Sequence, residues 1–189
     1  WRGSDVIVSA EPTHAGIGRV IREEIIKDNG RNYTGRAAAE AFALDRLVLY
    51  TQVILPALAA GLLVIQERGV SSSIAYQPLQ KLITLPQLLR LEGNQFALTH
   101  RPALLLIPVC PIAVALRRLG KRSKKDEAIF EKRAFLTKLD VRYRSPWFAK
   151  IFRQRGSIVG FLDTNDTLAE TQNEAVAYMN AFLTRAIKR

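Results

Sequence analysis

Thiols and imidazoles are scarce in this sequence: one cysteine, Cys110, and two histidines among 189 residues. A disulfide framework is therefore excluded, and no Cys/His zinc pattern can be assembled. A lone thiol in an apolar stretch suits a reducing cytoplasm. Long hydrophobic runs are also absent. The longest, Val53–Gln66, is interrupted by Pro56 and Gly61 and falls short of the roughly 18 residues that a spanning helix needs. No basic-then-apolar leader opens the chain, so no secretory signal is expected. Trp1 stands first, and the single methionine is Met179. Acidic residues are outnumbered, 17 against 28 Lys and Arg, for a net charge of +11. That balance suggests an anionic partner: nucleic acid, an anionic membrane or phosphorylated small molecules. The length predicts one domain, residues 1–189.

What is present is an alternation of short apolar runs and longer amphipathic ones. Asp5–Ser9, Leu62–Gln66, Ala103–Val109 and Ser157–Leu162 are rich in Val, Ile or Leu. None alternates cleanly, which fits parallel strands covered on both faces. Helical patterns lie between them: Gly18–Lys27, stopped by Asn29-Gly30; Arg36–Ala60, with Pro56 as a kink; and Lys81–His100, with a break near Leu85-Pro86. Ile112–Leu119 follows, opened by Pro111 and closed by Gly120, and then Ile129–Arg142. The last helix begins at Asp166 as N-cap and runs to about Lys188, with Leu168, Ala175, Val176, Met179, Phe182, Leu183 and Ile187 as a core-facing stripe. Strands alternating with helices predict an α/β doubly wound parallel sheet, whose ligands bind in the loops beyond the carboxyl ends of the strands.

Those loops carry the chemistry. After the first strand comes Ala10-Glu11-Pro12-Thr13-His14-Ala15-Gly16-Ile17-Gly18, followed by Arg22. On the next helix Phe42 and Arg46 stand four apart and share a face. A flat ring beside a guanidinium suits a nucleobase, although a core phenylalanine has the same spacing. The second strand ends in Glu67-Arg68-Gly69 and leads to Ser72, Tyr76 and Gln77. An arginine ending a buried strand is costly unless it meets an anion, either a phosphate or an ion-pair partner such as Glu67 or Glu11. Gln77 can donate and accept at once, as reading a pyrimidine edge requires. Arg117–Lys125 is a basic run without interleaved aromatics, which disfavours a nucleic-acid platform without excluding it.

The order of these pieces resembles the thymidylate kinase family over nearly all of the chain. The family shows a Glu-Pro loop running into an Ile-Gly…Ile-Arg helix, a Phe-x-x-x-Arg helix, an Asp-Arg strand end, a Ser-x-Ala-Tyr-Gln helix and a basic lid followed by Phe-Glu, here Phe130-Glu131. The resemblance implies a P-loop nucleoside monophosphate kinase fold and phosphorylation of dTMP to dTDP with ATP and Mg²⁺. Phe42 then stacks on thymine, Arg46 donates to it or to the nearby phosphate, and Arg68 holds the acceptor phosphate and neutralises charge during transfer. Glu11 and Pro12 border the monophosphate site, with Ser72, Tyr76 and Gln77 beside it. Tyr76 packs beneath the deoxyribose, and Tyr143 is a further candidate for the base. Arg118 and Arg122 act from a lid at about 117–127, and Thr164 and Asn165 border the adenine. Glu67 replaces the family's usual Asp and positions magnesium through a bound water; Gly69 leaves one side of the pocket open. The resemblance also implies a homodimer packed through helices such as Arg36–Ala60; the cytoplasm and the expectation of no membrane partner rest on the lone thiol and the short apolar runs.

No Gly-x-x-x-x-Gly-Lys-Ser/Thr occurs in the sequence. In the family this phosphate-cradling loop follows the first strand, upstream of the position of Trp1. The expectation is that the native protein carries this strand, loop and helix, about 25–30 residues, because the strand lies mid-sheet. Two alternatives stay open. One is a related kinase with another base preference; the other is a non-catalytic nucleotide- or nucleic-acid-binding protein without the phosphate loop.

Overall fold

The computed structural model describes residues 5–27, 30, 31, 33–80, 83–121 and 133–187. Where the length suggests one domain, the described residues up to His100 form one compact unit and those from Arg101 onward a second.

In the first unit, β1 (Val6–Ala10) pairs in parallel with β2 (Leu63–Glu67), in register from Val6 opposite Leu63 to Ala10 opposite Glu67. Between them run α1 (Gly16–Val20), continued by a π-helical stretch Ile21–Ile26, and the long helix α2 (Gly35–Leu49). A π-helical segment Tyr50–Ile54 and α3 (Leu55–Ala59) extend α2. Pro56 lacks an N–H and its ring crowds the carbonyl four residues back, so the ladder widens just before it. Beyond β2 come α4 (Val70–Tyr76), a 3₁₀ turn Gln77–Gln80, α5 (Leu85–Leu89) and α6 (Glu92–Thr99). The expected break near Leu85-Pro86 is present: Thr84 is extended and caps a new helix, α5, through a capping box with Gln87, and Pro86 sits in its first turn. A second interruption falls at Arg90-Leu91, before Glu92.

In the second unit, β3 (Leu104–Val109) pairs in parallel with β4 (Ile158–Asp163). Its helices are α7 (Ile112–Gly120), α8 (Arg133–Arg144), α9 (Pro146–Arg153) and α10 (Leu168–Ile187). Helix α9 had no counterpart in the sequence reading. Its signal was Ser145 at the cap position before Pro146 at the first helical position. It buries Phe148, Ala149 and Phe152. Gly120 lies inside the last turn of α7 rather than after it, and Lys121 takes the cap position.

Every strand begins one residue later than the apolar runs predict, and three of the four also end one residue later. Backbone pairing does not depend on side-chain polarity, so the ladders run on to Ala10, Glu67 and Asp163. The expectation that all strands are covered on both faces fails for β1 and β2. Val8 is 74% exposed, and Val6 and Ile65 share that open face. The stripe on α10 is also narrower than expected, since Leu168 and Val176 are exposed while Ala175, Met179, Phe182 and Leu183 are half-buried. The α10 cap is Thr167, not Asp166. Thr167 Oγ1 accepts from the Glu170 N–H at 3.3 Å, and the Glu170 carboxylate accepts from the Thr167 N–H at 2.9 Å. Thr167→Ala should lower Tm by about 3 °C, the usual effect of losing a helix cap in a chain of this size, as a thermal melt will show.

Gly35–Ala59 is continuous enough to exceed the apolar length read from the sequence, with a mean hydropathy of 1.4 over its most apolar 18 residues. Its middle nevertheless carries Asp45 and Arg46, both buried by contacts within the first unit. It is a core helix on that evidence.

Candidate functional site

The site is built from the loop after β1 outward. The Glu11 N–H donates to the Glu67 carbonyl at 3.1 Å, continuing the β1–β2 ladder for one more step, and the Glu11-Pro12 peptide is cis. Two side chains then clamp the loop. Asp45, buried on α2, accepts from the Thr13 N–H at 2.8 Å and from the Thr13 hydroxyl at 2.6 Å. Arg22 donates to the carbonyls of Pro12 and Thr13, at 3.1 and 3.2 Å from its Nε.

The loop delivers Glu11 to Arg46. Both are buried, at 3% and 1% exposure, and they form a two-pronged ion pair: Nε to Oε1 at 3.2 Å and Nη2 to Oε2 at 2.5 Å. Gln66 on β2 donates to Glu11 Oε1 at 2.7 Å. Arg46 Nη2 also donates to Ser73 Oγ on α4 at 2.9 Å, and Nη1 donates to Asn94 Oδ1 on α6. Asn94 is itself fully buried, and its Nδ2 donates to the Leu88 carbonyl at 2.8 Å. The β1 loop, α4 and α6 thus converge on one guanidinium carried by α2, and β2 braces it through Glu11. Burial pushes the Glu11 carboxyl above the usual glutamate range, while the Arg46 guanidinium and the Gln66 hydrogen bond pull against that rise. Burial, helped by the Glu11 charge, pushes the Tyr50 hydroxyl up to about 12.

A guanidinium has five N–H groups. One on Nε, two on Nη2 and one on Nη1 are engaged, which leaves the second Nη1 N–H without a partner among the described residues. A second open valence lies nearby in sequence. Gln77, one helical turn after Ser73, is 4% exposed, and its Oε1 has no hydrogen-bond partner among the described residues. Buried acceptors are almost always satisfied, so an orphan of this kind marks a place for a ligand or a water. Phe42 and Tyr76 are half-buried, as is Ser72, whereas Ser73 is the serine that reaches Arg46.

Arg68 differs from the sequence picture. It does not end a buried strand; it lies one residue beyond β2, exposed, with φ 67° and Gly69 following at φ 133°. A non-glycine residue held in the left-handed region marks a backbone dictated by its surroundings, often at functional sites. Its guanidinium carbon lies 5.9 Å from the centre of the Tyr76 ring, within cation–π reach. Glu11, one of the ion-pair partners considered for Arg68, is taken by Arg46. Glu67 is exposed at the end of β2.

In the second unit the lid candidate Arg118 reaches one of the two adenine-side candidates, Asn165. Arg118 Nη2 makes long contacts to the carbonyls of Asn165 and Asp166, at 3.5 and 3.4 Å. Thr164 donates twice to the Val109 carbonyl, from N at 2.8 Å and from Oγ1 at 3.1 Å. Tyr143 packs edge-on against Phe148, with ring centres 5.0 Å apart. Arg122, the rest of the basic run as far as Lys125 and Phe130-Glu131 lie outside the described residues. Among the described residues, no cluster of three or more His, Cys, Asp or Glu could hold a metal ion.

The thymidylate kinase family model matches residues 2–174 of this sequence. The chain belongs to the thymidylate kinase family. As a thymidylate kinase family member it has the α/β fold of P-loop nucleoside monophosphate kinases, and its parallel strands and intervening helices conform to it. It is 37% identical over 129 residues to a probable thymidylate kinase of Pyrococcus abyssi, covering 67% of this chain and 60% of that protein. A probable thymidylate kinase of Thermococcus gammatolerans is 35% identical, covering 67% and 61% respectively. The thymidylate kinase of Akkermansia muciniphila is 31% identical over 159 residues, covering 80% and 71%. The chain thus spans about three-fifths of the first two of these relatives. Sequence reasoning missed Asp45, Gln66, Ser73 and Asn94. Ser73 could have been found, since it is the serine of the Ser-x-Ala-Tyr-Gln motif that ends in Gln77.

Proposed function

We propose that this chain carries the nucleoside monophosphate site of a dTMP kinase, a phosphotransferase that moves the γ-phosphoryl group of ATP onto a phosphate oxygen of dTMP, releasing ADP and dTDP. The observation that carries the reading is a pair of complementary open valences: the spare Arg46 N–H, a donor, and the buried Gln77 carbonyl oxygen, an acceptor. A thymine edge offers the complement, a ring carbonyl that accepts and an N3–H that donates. Phe42 supplies a stacking face. Glu11 and Pro12 shape the floor, and Ser72 and Tyr76 the sugar side.

Arg68 is the acceptor-phosphate ligand in this reading. Its exposure and flexible stem let it follow the phosphate, and its charge offsets what develops on the moving group. Arg118 and Arg122 close on the ATP phosphates from the lid, with Thr164 and Asn165 beside the adenine. Mg²⁺ supplies charge neutralisation of the phosphates when bound. It usually needs only one or two carboxylates and otherwise binds water and phosphate oxygens, a demand that Glu67, exposed at the strand end, can meet through water. A single unpaired thiol, Cys110, fits the cytoplasm as the site of action.

Gln77→Leu tests the reading. It removes the orphan acceptor at nearly constant volume, so fold stability should change little while dTMP affinity falls about tenfold or more by titration calorimetry. Unchanged affinity would take Gln77, and with it the base-edge reading, off the table.

The partner in this reading is a second copy of the chain. On the open side of α2, Leu44 and Val48 stand one turn apart, and Leu58 adds an exposed apolar side chain on α3. Leu44 and Leu58 are each 49% exposed and Val48 38%. Introducing Glu at both Leu44 and Val48 should convert a dimer to a monomer in sedimentation velocity, leaving the far-UV spectrum of the helices unchanged.

A further inference from the structure

We propose that Asn94 is a positioning residue for base recognition: it sets the plane of the Arg46 guanidinium so that the spare Nη1 N–H meets the carbonyl of the bound pyrimidine. This rests on the nucleotide-site reading above. Asn94 lies on α6, outside every loop that the motifs single out, and is fully buried. Its amide has one possible orientation. The Leu88 carbonyl can only accept, so Nδ2 must face it at 2.8 Å, and Oδ1 must therefore face Arg46 Nη1.

The rest follows from guanidinium geometry. The group is planar and rigid. Glu11 grips the edge formed by Nε and Nη2, and Ser73 adds a bond to Nη2. Nη1 is the far corner, and Asn94 is its sole partner among the described residues. With one Nη1 N–H fixed on Asn94, the other is fixed in direction too, because both lie in the guanidinium plane. Without Asn94 the arginine keeps its charge and its Glu11 grip, but the guanidinium can tilt as a unit about the gripped Nε–Nη2 edge, and the spare N–H tilts with it. Reach is supplied by Gly93: a Cβ there would stand 1.8 Å from the Ala43 carbonyl oxygen, so only glycine lets α6 close on α2 far enough for Asn94 to touch Arg46.

The test measures base discrimination on the full gene product. dTMP and 5-methyl-dCMP differ only at the ring edge, where a carbonyl with its N3–H is replaced by an amino group and a bare nitrogen. Titration calorimetry of wild type should show a preference for dTMP. Asn94→Ala should cut that preference about tenfold by weakening dTMP alone, the size of one well-directed hydrogen bond. Asn94→Asp keeps an oxygen facing Nη1 and, when protonated, an O–H that can donate to the Leu88 carbonyl; it should restore most of the preference as pH is lowered, and it also serves if the alanine variant does not fold. Leu98→Ala, a buried change on the same helix, should lower Tm and leave the preference intact. An unchanged preference in Asn94→Ala, or equal loss for both nucleotides, overturns the role of Asn94 and leaves the nucleotide site standing. Failure of wild type to bind either nucleotide overturns both.

Discussion

Glu11→Ala should cost about 4 kcal/mol of folding stability, the usual consequence of leaving one partner of a buried ion pair uncompensated. The expectation rests on how completely Arg46 is enclosed. At 1% exposure its guanidinium cannot recruit water in place of the lost carboxylate, and Ser73 and Asn94 offer neutral acceptors that do not cancel its charge. Gln66 would lose its acceptor in the same step. Chemical denaturation of wild type and variant measures the loss as a fall in midpoint at constant slope. The double change Glu11→Ala with Arg46→Leu should recover a large part of it, because replacing both charges by apolar groups removes the uncompensated ion. A loss below about 1 kcal/mol, the range of solvent-exposed pairs, would mean that water reaches the guanidinium.

The second large effect is expected at Gly93. A methyl group there would overlap the Ala43 carbonyl, which is backbone and cannot rotate away. Helices α2 and α6 pack on each other with Ala43 against Gly93, and each carries another small buried residue one turn away, Ala39 and Ala97. Gly93→Ala must push the helices apart along that seam, at a cost of about 3 kcal/mol, the upper range for overpacking a close-packed contact. The separation would also draw Asn94 away from Arg46. Stability and base preference should therefore fall together in this variant, whereas Leu98→Ala lowers stability alone. Both quantities can be read from one preparation, by thermal melt and by nucleotide titration.

The sequence exposed the alternation of strands and helices because buried parallel strands must be apolar and helices must be amphipathic. It exposed Arg46 and Gln77 as candidate recognition groups because their chemistry is specific to few tasks. It did not expose the bonds that fix them. The Glu11–Arg46 pair joins residues 35 apart, and Asn94 lies 48 beyond Arg46, distances at which spacing carries no information. Arg68 illustrates a different limit. Its residue type suggested an anion partner, but the left-handed turn that puts it outside the strand depends on the backbone around Gly69. Helix α9 was missed because its Ser-Pro start follows directly on α8, so two helices read as one pattern and a tail.

The central claim is that the Arg46 cluster and Arg68 belong to a working dTMP site. The most direct measurement is ADP release by the full gene product with ATP, Mg²⁺ and each nucleoside monophosphate in turn, with Arg68→Ala alongside. The account predicts the highest kcat/KM for dTMP and loss of turnover in Arg68→Ala with its fold intact. Turnover that ignores dTMP, or that survives Arg68→Ala unchanged, would contradict it.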